Sequence, residues 1–292
     1  MLKYRLIFGT LMTIFFVGLI LLDGHIDGSL SPQKENLPVQ GTILFVFLVL
    51  VAVPANVELA KLIGSTGTKI FLPITITASI LLAGGWYISQ FKFFEDSTQL
   101  ASIYFILIFS LSTLAILLWQ GIKYAAIGAF ANCGANLLVI CYLGALTSFI
   151  MKLRIDFGPI AFLMFIFVVK FCDIGAYTFG RLFGKHKFSP VISPKKTWEG
   201  MGGGVLFSVI ASFIIARVFD IMPVVPAIIF GAVFAFIGQL GDLAESMLKR
   251  AAEQKDSASI VPGFGGILDV IDSPLGAGVF AYLYFLFFIN SH

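Results

Sequence analysis

Charge is what this sequence has least of. Only 12% of its 292 residues are Asp, Glu, Lys or Arg, about half the roughly 25% found in ordinary soluble domains. Cysteine is scarce as well. Cys133, Cys141 and Cys172 each sit inside an apolar run, which excludes a disulfide scaffold or a cysteine metal cluster and leaves small buried hydrophobes. Eleven prolines and an aperiodic scatter of glycine exclude collagen-like and low-complexity classes. Polar tracts are too few for disorder. Short alternating segments of about ten residues, the mark of a membrane β-barrel, are missing. What is present is apolar: 59% of residues, with a mean hydropathy of +0.99. A soluble globule of this composition would expose much of its apolar surface. The composition predicts an all-α, polytopic integral membrane protein.

A span needs about 20 mostly apolar residues. Nine runs qualify, at about 4–22, 41–62, 69–91, 100–119, 123–151, 159–181, 199–219, 223–247 and 274–290. The first follows Lys3 and Arg5 as a signal peptide would. Its apolar stretch exceeds a usual h-region, however, and Asp23-Gly24-His25 is no small-residue cleavage site, so it reads as a membrane helix. The fifth run carries Asn132, Gly134 and Asn136, which predict a tilted, broken or re-entrant segment. With nine spans, thirteen of the nineteen Lys and Arg fall on the face that holds the N-terminus, and the positive-inside rule makes that face cytoplasmic. A net charge of +3 is too small to suggest a nucleic-acid partner.

A charged side chain at a helix centre costs roughly 2.5–3.5 kcal/mol on insertion scales, so each one needs a reason. In the first half, residues 1–151, the main case is Glu58 with Lys61, whose spacing suits an intrahelical pair. The second half, residues 152–292, is different. Lys170 and Asp173 share the sixth run; Asp242, Glu245 and Ser246 share the eighth, with Lys249 and Arg250 at its cytoplasmic end. Beyond them, Asp269 and Asp272 stand three apart, so both carboxylates can point one way on a helical turn, and Ser273-Pro274 reads as the cap and first residue of the last helix. Asp242, Asp269 and Asp272 brought together near a membrane surface would repel one another unless a cation lay between them, and oxygen-only ligands select a hard ion such as Mg²⁺.

Two loops add cations and glycine. The first holds Arg181, Lys185, Lys187, Lys195 and Lys196 with no acid before Glu199, and reads either as a topology-fixing loop or as a holder of lipid headgroup or nucleotide phosphates. In the second, Gly263–Gly266 would let backbone amides approach an anion closely. Read from the residues alone, the chain performs metal-assisted phosphoryl chemistry at the cytoplasmic face.

The stretch Ser246 to Ser273, with Lys249-Arg250, Lys255-Asp256 and Pro262-Gly263-Phe264-Gly265-Gly266-Ile267-Leu268-Asp269-Val270-Ile271-Asp272, resembles the C-terminal signature of phosphatidate cytidylyltransferases. Asp173 to Tyr177, Gly180 to Lys185, Ser193-Pro194-Lys195-Lys196-Thr197-Trp198-Glu199-Gly200 and Gly241-Asp242 resemble that family too, so the likeness covers about residues 170–275. It implies transfer of CMP from CTP to phosphatidate, with Mg²⁺ (and a second cation such as K⁺) at Asp242, Asp269 and Asp272, and Lys249 beside them. It also implies substrate contacts from Asp173, Arg181, Lys195, Lys196, Arg250, Lys255, Gly265 and Gly266, residence in the cell membrane, and a homodimer as one assembly. Two positions depart from the family pattern: Phe264 stands for a His and Val270 for an Arg. A CTP-dependent polyprenol kinase-like enzyme is the alternative within the superfamily, and a transporter the alternative outside it. The Asp-Gly-x-x-Ala-Arg motif of CDP-alcohol phosphotransferases is absent.

Overall fold

A computed structural model describes residues 2–30, 37–91, 98–254, 257–258 and 265–289. In chain order the helices are α1 (Leu2–Ile26), α2 (Thr42–Gly64), α3 (Leu72–Ala83), the single turn α4 (Gly85–Ile88), α5 (Thr98–Tyr124), α6 (Ala129–Ile140), α7 (Leu146–Phe183), α8 (Trp198–Phe219), α9 (Val224–Ala251) and α10 (Leu268–Phe288). A π-helical turn, Cys141–Ala145, joins α6 to α7. Among the described residues, seven helical stretches are long and apolar enough to cross a membrane, and α3 is a shorter apolar helix. The chain is a multi-pass, all-α membrane protein.

Each of the nine expected segments falls on a helix, but the boundaries carry physical news. The stretch Ala129–Phe183 runs 55 residues and breaks at Gly158, where φ is 80° and ψ is 176°. Pro159 causes the break: it lacks an N–H and disfavours helical geometry in the residue before it, and glycine alone takes this conformation without strain. The asparagines expected to interrupt the fifth segment leave it helical. Asn132 Oδ1 accepts from Lys69 N at 2.8 Å, and Asn136 Oδ1 accepts from Phe71 N at 2.7 Å. They hold the residues that lead into α3 from a neighbouring helix, and α3 itself starts at Leu72, later than the expected 69–91 segment.

The last helix begins at Leu268, so Ser273 and Pro274 lie inside it and do not form its cap. An interior proline frees the carbonyl four residues earlier. Here that carbonyl belongs to Val270, and Lys170 Nζ donates to it at 2.8 Å. A second correction concerns the basic loop after α7, which folds as an antiparallel hairpin, β1 (Lys187–Ser189) on β2 (Ser193–Thr197).

Lipid tails are as apolar as leucine, so helices in a bilayer associate by close packing more than by hydrophobic burial. Glycine sets two close crossings around the ionic end of the bundle. A Cβ on Gly175 of α7 would lie 2.4 Å from the Gly203 carbonyl of α8, and one on Gly276 of α10 would lie 2.8 Å from Gly241 Cα of α9. Phe162, Phe165, Phe230, Phe234 and Phe285 are buried together in the main hydrophobic core.

At the opposite end from the hairpin, Arg154 is fully buried. Its Nη2 meets Asp23 at 2.9 Å and Asp27 at 2.8 Å. The same carboxylates accept from Ile43 N and Gly41 N, so they hold the start of α2. Burial pushes the Asp27 carboxyl up, but hydrogen bonds from Ser29 and Gly41 and the Arg154 charge outweigh it and hold the group below the ordinary carboxylate range.

Candidate active site

Four elements end or begin at one side of the bundle: α7 and α9 finish there, and α8 and α10 start there. The ionisable residues of the second half collect at that side. The Gly241–Gly276 crossing sets Asp242 beside Asp272, because without a side chain at 241 the α9 backbone can approach the Asp272 carbonyl. One helical turn on from Asp242 comes Glu245. Carboxylate oxygens of Asp242, Glu245 and Asp272 all lie within 4.8 Å of one another.

Glu245 is the member of this trio that spacing alone left unassigned. Its Oε1 is buried with no hydrogen-bond partner among the described residues, while Oε2 pairs with Lys249. Three carboxylates this close repel strongly without a positive charge among them. An orphaned acid oxygen and an oxygen-only donor set suit a hard divalent cation such as Mg²⁺. These residues could hold one.

Asp269 stands outside the trio. Its Oδ1 meets Lys249 Nζ at 2.5 Å, and its Oδ2 accepts from Gly266 N at 2.7 Å and from Ser257 Oγ at 2.9 Å and Ser257 N at 3.3 Å. Lys249 is thus clamped between Glu245 and Asp269, with its side chain only 10% exposed. The turn at Gly265–Gly266 faces anions of this chain: Gly266 gives its amide to Asp269, and the Ile267 and Leu268 amides go to Glu58.

The neighbouring lysines Lys195 and Lys196 part company because successive strand residues face opposite ways. Lys195 is exposed, whereas Lys196 Nζ reaches Asp242 Oδ2 at 2.7 Å and the Gln239 carbonyl at 3.3 Å. Gln239 in turn donates to Asp173 Oδ1 at 3.2 Å, and Asp173 also faces Lys170 at 3.6 Å. Asp173, Gln239, Lys196 and Asp242 therefore form one polar chain across α7, α9 and β2.

Arg250 donates to the Ile192 carbonyl and so ties the hairpin tip to the end of α9. Arg181 is exposed and donates to Tyr177 Oη at 3.2 Å. Thr197 caps α8 by accepting from Gly200 N at 3.1 Å, and Glu199 accepts from the Lys185 and His186 amides, which fixes the base of the hairpin. Lys255 and Phe264 lie outside the described residues. Val270, where the family pattern has Arg, carries the Lys170 ammonium on its carbonyl.

Sequence reasoning had no signal for Tyr142. It lies in the π-helical turn, a feature often found at functional sites. It is 9% exposed, its hydroxyl has no hydrogen-bond partner among the described residues, and the charges of Asp272, Glu245 and Asp242 bear on it. An unpartnered buried hydroxyl carries a desolvation cost of roughly 1–3 kcal/mol. Tyr142→Phe removes that cost, so the melting temperature of the purified protein in detergent should hold or rise. A fall of several degrees would mean the hydroxyl has a partner.

Fold and site together define a multi-pass membrane protein with a carboxylate and lysine cluster, suited to cations and phosphates, at one end of its helix bundle. The chain belongs to the cytidylyltransferase family, whose family model matches residues 3–288. It is similar to proteins named phosphatidate cytidylyltransferase. One from Staphylococcus epidermidis is 40% identical over 147 residues, 50% of this chain and 56% of the relative. One from Staphylococcus haemolyticus is 34% identical over 80% of this chain and 86% of the relative. One from Bacillus subtilis is 31% identical over 87% of this chain and 96% of the relative. The chain thus spans little more than half of the first relative's length and nearly all of the last.

Proposed function

We propose that this protein is a phosphatidate cytidylyltransferase, an enzyme that makes CDP-diacylglycerol and pyrophosphate from CTP and phosphatidate. The observation that carries the reading is the convergence of Asp242, Glu245 and Asp272 within 4.8 Å, with Lys196 2.7 Å from Asp242. That arrangement binds a hard cation and polyphosphate together. Bacterial relatives of that name at 31–40% identity support the choice of substrates.

A phosphatidate phosphate is already ionised near neutral pH, so its oxygen needs no general base to act as nucleophile. It attacks the α-phosphorus of CTP; the new P–O bond forms as the bond to the β-phosphate breaks, and pyrophosphate leaves with the electron pair. Mg²⁺ held by Asp242, Glu245 and Asp272 would neutralise phosphate charge and align the two substrates. Lys196 would shift from Asp242 to a phosphate once that carboxylate is engaged, and Lys195 and Arg181, both exposed, would receive the outer phosphates. Arg250 holds the hairpin that carries these lysines against α9. The lipid enters from the bilayer, and the site faces the cytoplasm of the cell membrane, in keeping with the bias of Lys and Arg.

The test uses purified protein in detergent with Mg²⁺, labelled CTP and phosphatidate. The expected products are labelled CDP-diacylglycerol and unlabelled pyrophosphate when the label is on the cytidine. Absence of both across Mg²⁺, Mn²⁺ and Co²⁺ would overturn the assignment.

A further inference from the structure

The acidic residue of the first half that spacing paired with Lys61 does something else. Glu58 is 2% exposed, while Lys61 is exposed and forms no ion pair with it among the described residues. Glu58 Oε1 accepts from Ile267 N at 3.0 Å, and Oε2 accepts from Leu268 N at 3.0 Å and Ser257 Oγ at 3.3 Å. These two amides open α10, and the first amides of any helix lack partners within it. A carboxylate there is also favoured by the helix dipole. Caps are normally local, yet this one comes from α2, more than 200 residues away in the chain.

Gly266 makes the arrangement possible. A Cβ at that position would fall 2.5 Å from Glu58 Oε2 and 2.0 Å from Ser257 Oγ. The glycine admits the chain's own carboxylate and hydroxyl. Together Glu58 and Asp269 take the amides of Gly266, Ile267 and Leu268, so the first turn of α10 is seated from two sides. Asp272 follows Leu268 by four residues, about one helical turn. Any shift or rotation of that turn moves Asp272 relative to Asp242 and Glu245.

We propose that Glu58 is a positioning residue for the active site: its carboxylate seats the N-terminus of α10 and thereby sets Asp272 against the α9 carboxylates. The inference rests on the functional reading above, because it takes the carboxylate trio as the reacting centre. It means that the N-terminal half, which lies outside the motifs of residues 170–275, supplies part of the site.

The experiment compares Glu58→Gln with Lys61→Met in the full-length protein in detergent. Glutamine keeps the size but offers one oxygen, so one buried amide faces an N–H₂ group. The first readout is hydrogen exchange over 265–272, against 172–182 and 200–208 as an internal reference. The second is the Mg²⁺ concentration giving half-maximal thermal stabilisation and half-maximal turnover. For Glu58→Gln, exchange over 265–272 should rise about tenfold and the Mg²⁺ requirement should rise by about the same factor, the effect of losing one buried hydrogen bond. The KM for phosphatidate should move much less, and Lys61→Met should match wild type throughout.

Unchanged exchange over 265–272 would overturn the proposal. So would faster exchange everywhere, which marks general loosening, or faster local exchange with an unchanged Mg²⁺ requirement, which marks a seat without consequence for the trio. If wild type makes no CDP-diacylglycerol, the assigned reaction fails, while exchange and Mg²⁺-dependent melting still decide the role of Glu58.

Discussion

Lys249→Met should lower stability by about 3–5 kcal/mol and abolish turnover. The size follows from burial: removing one partner of a buried ion pair leaves an uncompensated charge. Here two would be left, Glu245 and Asp269, both nearly buried and both paired to the same ammonium. Thermal unfolding in detergent measures the loss, and a midpoint within a degree of wild type would refute it. Adding Glu245→Gln to the same chain removes one of the stranded charges. That double variant should recover part of the stability and none of the turnover, because Glu245 also belongs to the carboxylate trio. Recovery of both would place Glu245 outside the chemistry.

Asp272→Asn and Asp269→Asn should fail in opposite ways although the two residues stand three apart. Asp272 loses one charge from a set of three that repel one another, and its Oδ1, which accepts from Ser273 N at 2.6 Å, has an equivalent in asparagine. The melting temperature in chelator should hold or rise. Stabilisation by Mg²⁺ should vanish, and turnover should fall by at least about a hundredfold, the scale of losing one preorganised electrostatic contact. Asp269→Asn instead weakens the Lys249 clamp and the glycine turn. Its melting temperature should drop with or without metal, while a measurable response to Mg²⁺ persists. The reverse pattern, with Asp269→Asn abolishing the Mg²⁺ response and Asp272→Asn merely unstable, would reassign the metal ligands.

These contrasts mark where sequence spacing stopped being informative. Asp242, Asp269 and Asp272 are equally conspicuous as charges in apolar surroundings, and spacing could group them but not sort them. The sorting depends on the rotation of α10, which starts six residues earlier than its Ser-Pro signal suggested. Glu245 was legible only as one more charge on α9. Its part in the trio depends on the Gly241–Gly276 approach, which brings together residues distant in the chain. Lys195 and Lys196 looked interchangeable until the basic loop folded as a hairpin and turned them to opposite faces. Tyr142 had no sequence signal, because a π-helical turn leaves none in composition or period. Glu58 had one, its burial cost, but the obvious local partner at Lys61 hid the distant one.

By itself the sequence determined the class of fold. Backbone groups in a bilayer must be satisfied internally, so long apolar runs become helices whatever they pack against. It also determined which half carries the ionic groups, since charges in apolar spans are costly enough that each survivor is informative. The tertiary structure alone decided which charges meet. Contacts between helices rest on glycine-sized gaps, on a proline that frees the Val270 carbonyl for Lys170, and on a glutamate capping a helix from the other end of the chain. Those are properties of surfaces brought together in three dimensions, and neither periodicity nor spacing along one chain encodes them.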